Sequence, residues 1–206
     1  MPRLLIKIDP IDSQLEGLMA SIVSDIISIK KAGYEVILFA SAAKQLAGRS
    51  IPFEERFDVD GLNLSITKDF LRSMIRSVTW QPIIITKYLE LFRNHNEAIS
   101  QILLNQADLC EQSKYERIRA LSLNLIYLNV IPIFSENLVF SNKEEIDAGD
   151  ILAGILGTAL QVDKIIVLGR VDAFFTQGPD NSKFEKCTST TADFLFNMGP
   201  QFCFPV

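Results

Sequence analysis

The sequence predicts an α/β fold, a three-layer α/β/α sandwich around an open, mainly parallel sheet. Three observations carry this. Short β-branched runs alternate with longer stretches of helical period, and residues 4–39 already read strand, helix, strand. The predicted strands are near-continuous apolar runs, the pattern of a sheet covered on both faces. A strand–helix–strand unit with these lengths implies parallel strands and a right-handed crossover.

The elements follow in order. Leu4–Ile8 reads as a strand stopped by Asp9-Pro10. Ser13 and Glu16 form a capping-box pattern, and Leu15, Leu18, Ile22, Ile26 and Ile29 then recur at helical spacing. Ala32-Gly33 ends that helix, with Gly33 as the left-handed cap, and Glu35–Phe39 is the second strand. A helix starting at Pro82, with Trp80 packed at its entry, runs to Arg93 and leads to a strand at Ile102–Leu104. A helix over Gln112–Leu128 leads to a strand at Val130–Phe134, and a glycine-containing helix over Asp150–Leu160 leads to Lys164–Leu168. Arg49–Lys68 reads as a loop or excursion at the carboxyl edge of the sheet. Gln177–Val206 is polar and then aromatic, with no strand or helix signal outside Ala192–Asn197. Its phenylalanines (Phe194, Phe196, Phe202, Phe204) suit core filling or a partner surface.

Composition narrows the function. At 206 residues and 48% apolar content, the chain is read as one domain over residues 1–206 with a single core. Twenty basic against 25 acidic residues give a net charge of −5 and a pI near 5.0, which argues against nucleic acid or an anionic membrane as partner. Cys110, Cys187 and Cys203 are too scattered for a metal clip or a disulfide framework, and they suit a reducing compartment. One histidine, His95, leaves no basis for a histidine zinc site and little for a Ser-His triad. Its setting between Arg93-Asn94 and Asn96 reads as a solvated helix end. Arg3 and Lys7 interrupt any leader-like start, and the apolar stretch Ile151–Val162 is too short to span a bilayer. A soluble, cytoplasmic chain with no metal site is expected.

In open α/β sheets ligands bind beyond the carboxyl ends of the strands. The residues there are Lys7-Ile8-Asp9, Ala40-Ser41-Ala42, Ser135-Glu136-Asn137 and Gly169-Arg170-Val171-Asp172. Neither a P-loop nor a G-x-G-x-x-G pattern is present.

These same residues carry a resemblance. Val130-Ile131-Pro132-Ile133-Phe134-Ser135-Glu136-Asn137 resembles the V-I-P-I-x-N-E-N-D substrate segment of glutamate 5-kinases. Asp163–Thr176 resembles that family's nucleotide-site run, A-D-x-L-x-L-L-T-D-V-D-G-L-Y-T. Lys7 matches the lysine of the opening K-x-G. Ala32–Ala43 matches A-G-x-E-V-x-L-V-S-S-G-A, with Gly48-Arg49 one residue late. Gln101–Asn137 aligns without a gap, and the four motifs stand in the family's order across most of residues 4–180. The resemblance implies the amino acid kinase fold. It also implies transfer of the ATP γ-phosphate to the side-chain carboxylate of glutamate, with Mg²⁺, as the first step of proline synthesis.

Carried over residue by residue, the resemblance makes Lys7 the catalytic and nucleotide-binding cation. It puts Gly169, Arg170 and Asp172 at the nucleotide edge and Ser41, Glu136, Asn137 and Asp150 in the substrate site. Several positions depart from the pattern. Asp9 replaces a glycine, and a carboxylate about 4 Å from one phosphate charge opposes it by ~4 kcal/mol at an effective dielectric near 20. Ala42 replaces the glycine of S-G-A, Leu138 the glutamate-binding aspartate, Gly149 a substrate-site asparagine and Arg170 an aspartate. The family's G-G-M-x-T-K segment, with its second phosphate lysine, is not found after Asp172.

Each candidate also has a plainer reading. Lys7 fits an ordinary strand-terminal lysine, Ser41 a turn former, and Glu136-Asn137 a turn. Asp147 and Asp150 resemble a metal pair, but Asp150 fits better as the cap of the following helix. Arg170 fits drift at an abandoned site, and Asp172 and Thr176 fit loop shaping. Losing several transition-state contacts at ~2–4 kcal/mol each lowers the rate by orders of magnitude. The expectation is therefore a glutamate 5-kinase-like chain with impaired catalysis, using ATP and Mg²⁺ if active. The alternative is a non-catalytic ligand-binding or subunit-interaction protein on the same fold. An uncovered sheet end would favour a homo-oligomer or pairing with a related subunit.

Overall fold

The computed structural model describes residues 1–8, 15–40, 67–140, 148–168, 175–177 and 184–186. Expectations at Asp9, the Ser13 cap, Ser41, Ala42, residues 49–66, Asp147, Gly169, Arg170, Asp172 and the aromatic tail lie outside these residues. Along the chain run β1 (Arg3–Ile8), α1 (Leu15–Lys31), β2 (Glu35–Ala40), α2 (Lys68–Arg93) and β3 (Ala98–Leu104). Then come α3 (Gln106–Cys110), α4 (Gln112–Tyr127), β4 (Val130–Glu136), a 3₁₀ turn (Leu138–Phe140), α5 (Ala148–Ala159) and β5 (Lys164–Leu168).

Among the described residues, five strands form a parallel sheet in the order β3-β4-β2-β1-β5. A small antiparallel pair, β6 (Phe175–Gln177) with β7 (Phe184–Lys186), stands apart. The residue pattern carries no strand signal past Gln177. Three-residue strands are too short for period-2 alternation to register.

Strand alternation divides the core into two layers. Ile6, Ile8, Val36, Leu38, Ile131 and Ile133 face α1 and α2, whereas Leu5, Ile37, Phe39 and Phe134 face α3, α4 and α5. With right-handed crossovers, connections moving one way along the sheet pack on one face and those moving back pack on the other. That puts α1 and α2 together opposite α3–α5, the three layers expected.

Four of the helices end in a left-handed residue just before the next strand: Gly33 after α1, Asn96 after α2, Asn129 after α4 and Gln161 after α5. After α1, Tyr34 N–H donates to Ile29 O and Gly33 N–H to Lys30 O, a Schellman closure repeated after α2 and α5. The Gly33 cap is as expected. His95 is exposed in the turn after α2, also as expected.

Three expectations need correction. First, α2 begins at Lys68, capped by the Thr67 hydroxyl accepting from Phe70 N–H, so Pro82 and Trp80 lie inside the helix rather than at its start. Proline inside a helix costs ~3 kcal/mol. Burial of Ile84, Tyr88 and Phe92 against the sheet offsets that cost and keeps the helix continuous. Second, the buried face of α1 is Met19, Ile22, Val23, Ile26 and Ile27, with Leu18 left 37% exposed. Ile22 and Ile26 of the expected period are buried and Ile29 packs partly buried beside them, with Met19, Val23 and Ile27 widening the same face. Third, β3 starts at Ala98, four residues before its apolar end. It is an edge strand, so Ala98 and Gln101 stay exposed and break the apolar run used to find it.

Tyr88 is 2% exposed on α2, and burial pushes its hydroxyl well above the usual tyrosine range. The unfolded chain ionises tyrosine near pH 10, so the contribution is fully present below about pH 10. It is lost as pH rises from there toward the folded value, by ~1.4 kcal/mol per pH unit. Tyr88→Phe is expected to flatten this alkaline decline in urea unfolding between pH 9 and 11. Equal slopes in the two proteins would contradict it.

Candidate active site

Lys7 is the next-to-last residue of β1, between β2 and β5. Its register partners are Phe39 and Val167, Phe39 pairs with Phe134, and Phe134 with Ile102. In a parallel sheet such partners share a face, so a row Val167–Lys7–Phe39–Phe134–Ile102 crosses the sheet on the α5 side. Lys7 is thus a cation set in an apolar row, with 4% of its side chain exposed. A charge so placed requires a partner. Asp150 supplies one: its Oδ1 lies 2.5 Å from Lys7 Nζ.

Asp150 sits in the first turn of α5, which starts at Ala148. The expected capping role is therefore corrected, because two helical residues precede Asp150 and the N-cap position falls earlier in the chain. Its carboxylate, 48% exposed, spans from the helix to the buried lysine and faces solvent on its other side. An acidic residue in the first turn also complements the positive helix end. Partly buried Gly149 directly precedes it. The arrangement presents a buried ammonium engaged by a carboxylate in the first turn of a helix. Such a site is suited to accepting phosphate oxygens.

Glu136 and Asn137 lie at the carboxyl end of β4, on the same edge of the sheet. Glu136 pairs with Leu104 in register, and Asn137 N–H donates to Leu104 O at 2.9 Å. Asn105, which caps α3 reciprocally with Asp108, also donates through Nδ2 to Phe140 O. The ends of β3 and β4 are thereby tied together, and Leu138 opens the 3₁₀ turn between them and α5. Ser41 follows β2 directly and Gly169 follows β5. They and Arg170 and Asp172 lie outside the described residues, so the structure brings together Lys7 and Asp150 with Glu136 and Asn137 farther along the edge. The Lys7–Asp150 pairing had no signal in the residue pattern, since its members are distant in sequence.

A parallel three-layer sandwich with a buried lysine–carboxylate pair at the carboxyl end of a central strand defines an open-sheet α/β protein with a candidate site at that edge. The chain belongs to the amino acid kinase family, whose profile matches residues 8–194. It is 25% identical over 180 residues to glutamate 5-kinase 2 of Bacillus subtilis, covering 85% of this chain and 46% of that protein. It is 29% identical over 196 residues to glutamate 5-kinase of Chlorobaculum tepidum, covering 91% of this chain and 48% of that protein. The chain thus spans about half the length of these curated relatives. Among solved structures, carbamate kinase from Giardia lamblia bound to AMP-PNP superposes with a TM-score of 0.53 at 16% identity, covering 90% of this chain and 76% of that one. An isopentenyl phosphate kinase superposes with a TM-score of 0.54 at 13% identity, covering 86% and 77%. Both likenesses establish the fold.

Among the described residues, no helix is long and apolar enough to cross a membrane.

Proposed function

We propose that this chain is a glutamate 5-kinase-like phosphotransferase unit that keeps the Lys7 cation of its nucleotide site and has altered the glutamate half. Phosphorylation of the glutamate side-chain carboxylate by ATP, the opening step of proline synthesis, is then strongly slowed. The observation that carries this reading is the buried Lys7–Asp150 pair.

Lys7 offers its ammonium charge to phosphate oxygens, exchanging part of its present contacts for them, while Asp150 holds the ammonium in place. Transfer of a phosphoryl group is mostly positioning and neutralisation of spreading negative charge, and a fixed ammonium over an apolar row does both. Mg²⁺ accompanies ATP as a neutralising charge. Bound with ATP, the metal would be held by phosphate oxygens, water and one or two carboxylates, the usual mode for this ion. On the glutamate side, Leu138 and Gly149 stand where the family has an aspartate and an asparagine. Leucine offers a substrate ammonium no partner, and glycine removes an amide donor. Loss of recognition groups of this kind lowers both affinity and rate. These two positions also favour the second reading, a non-catalytic ligand-binding or subunit-interaction role.

Isothermal titration with ATP–Mg²⁺, with and without glutamate, followed by a phosphoryl-transfer assay, tests this. The expected result is micromolar ATP binding that glutamate leaves unchanged, with transfer at least 100-fold below that of a glutamate 5-kinase run in parallel. No heat from folded protein would sink the kinase reading and favour a protein partner.

A further inference from the structure

Three buried side-chain atoms have no hydrogen-bond partner among the described residues: Trp80 Nε1, Gln81 Nε2 and Ser100 Oγ. Buried donors without partners are rare in folded proteins, so each calls for an explanation. Of the three residues, Gln81 alone lines the cavity between α2 and the carboxyl ends of β2 and β4. Ser100 pairs with Pro132, on the opposite face from the Gln101–Ile133 pair that lines this space.

The cavity measures about 10 Å³, and Ala40, Gln81, Tyr88, Gln101 and Ser135 are among its walls. That volume is near the minimum for one water molecule. Among the described residues its walls carry two amides and two hydroxyls alongside isoleucines, with no carboxylate or ammonium. A neutral occupant that both donates and accepts therefore fits, whichever way the Gln81 amide is turned.

We propose that this cavity is a hydration site, in which one bound water satisfies Gln81 and links α2 to the end of β4 through Ser135. The water acts as a positioning device. Ser135 immediately precedes Glu136 and Asn137, and Ala40 is the last residue of β2, so the site lies beneath two of the strand ends that form the candidate active site. This inference stands independently of the kinase reading.

The sign of a stability change tests it. Gln81→Met keeps the length of the side chain and removes the amide. If a water is shared, Ser135 and its neighbours lose their bridge, and the variant is expected to melt about 2–6 °C lower. If the cavity is dry, the substitution removes an orphaned donor and the variant melts higher, which overturns the proposal. Ser135→Ala and the double variant give a second readout. A shared water predicts that the double variant loses no more than the larger single loss, whereas additive losses overturn it. An experimental density map of the full chain near 1.5 Å should show one compact peak beside Gln81. Featureless density, or density larger than a water, rejects the site.

Discussion

Lys7→Met is expected to weaken ATP–Mg²⁺ binding by roughly 10- to 100-fold while leaving the melting temperature unchanged or higher. A charge-assisted hydrogen bond contributes about 1.5–3 kcal/mol, and its loss sets the affinity change. Stability moves the other way because Lys7 is a cation held against Phe39 and Val167 with 4% of its side chain exposed. Replacing a buried charge with an apolar chain of similar size removes a desolvation cost. Asp150→Ala should behave oppositely, leaving the buried ammonium undercompensated. Breaking a fully buried pair costs about 3–5 kcal/mol, but Asp150 is half exposed and Lys7 has a further interaction. A loss of about 1–3 kcal/mol, or a melting point lower by about 2–10 °C, is expected instead. Calorimetric titration and thermal melts of the two variants check both signs. Undiminished ATP affinity in Lys7→Met would remove Lys7 from the site.

Phe39→Ala is the second large effect. Phe39 is fully buried in β2, paired in register with Lys7 on one side and Phe134 on the other. Its ring fills the centre of the layer under α5, where Leu152, Leu156 and Leu160 also pack. Truncation there removes buried apolar area and leaves a cavity, costing about 3–5 kcal/mol. For a domain of this size the melting temperature should fall by about 6–20 °C. Because Phe39 is part of the row that holds Lys7, ATP affinity should fall as well, even at temperatures where the variant is folded. Phe140→Ala is the control: with 68% of the residue exposed, it should change stability by at most about 0.5 kcal/mol. A Phe39→Ala protein melting within about 3 °C of the parent would contradict this account of the core.

Much of the fold is legible in the residues because it depends on short-range patterns. β1, β2, β4 and β5 lie within about two residues of the apolar runs that mark them, a margin usual for element ends. The turn at Gly33 was marked by glycine itself. The first half of α2 was not legible. Pro82 reads locally as a helix start, and the packing of Ile84, Tyr88 and Phe92 on the sheet makes a continuous helix through it the lower-energy state. The buried face of α1 is wider than the expected period, which already held Ile22 and Ile26. Several apolar positions satisfy helical spacing, and packing chooses among them. At the site, Lys7 was identifiable from its place at a strand end, whereas Asp150 read as a cap because helix starts are judged from neighbouring residues alone.

The residues alone determined the alternation of strands and helices, the parallel direction of the main sheet, the three layers and the family pattern. These follow from periodicities and crossover rules that act over a few tens of residues. Tertiary structure decided the strand order β3-β4-β2-β1-β5, which puts Lys7 between two strands, and the seating of α5 beneath it. Gly157 contributes to that seating: a Cβ there would lie 2.7 Å from Ile165 Cδ1, so a bare backbone lets α5 approach β5 closely. Pairing Lys7 with Asp150 depends on strand order, register and helix seating together. Each is settled by burial across the whole sheet, and no local stretch of sequence encodes them.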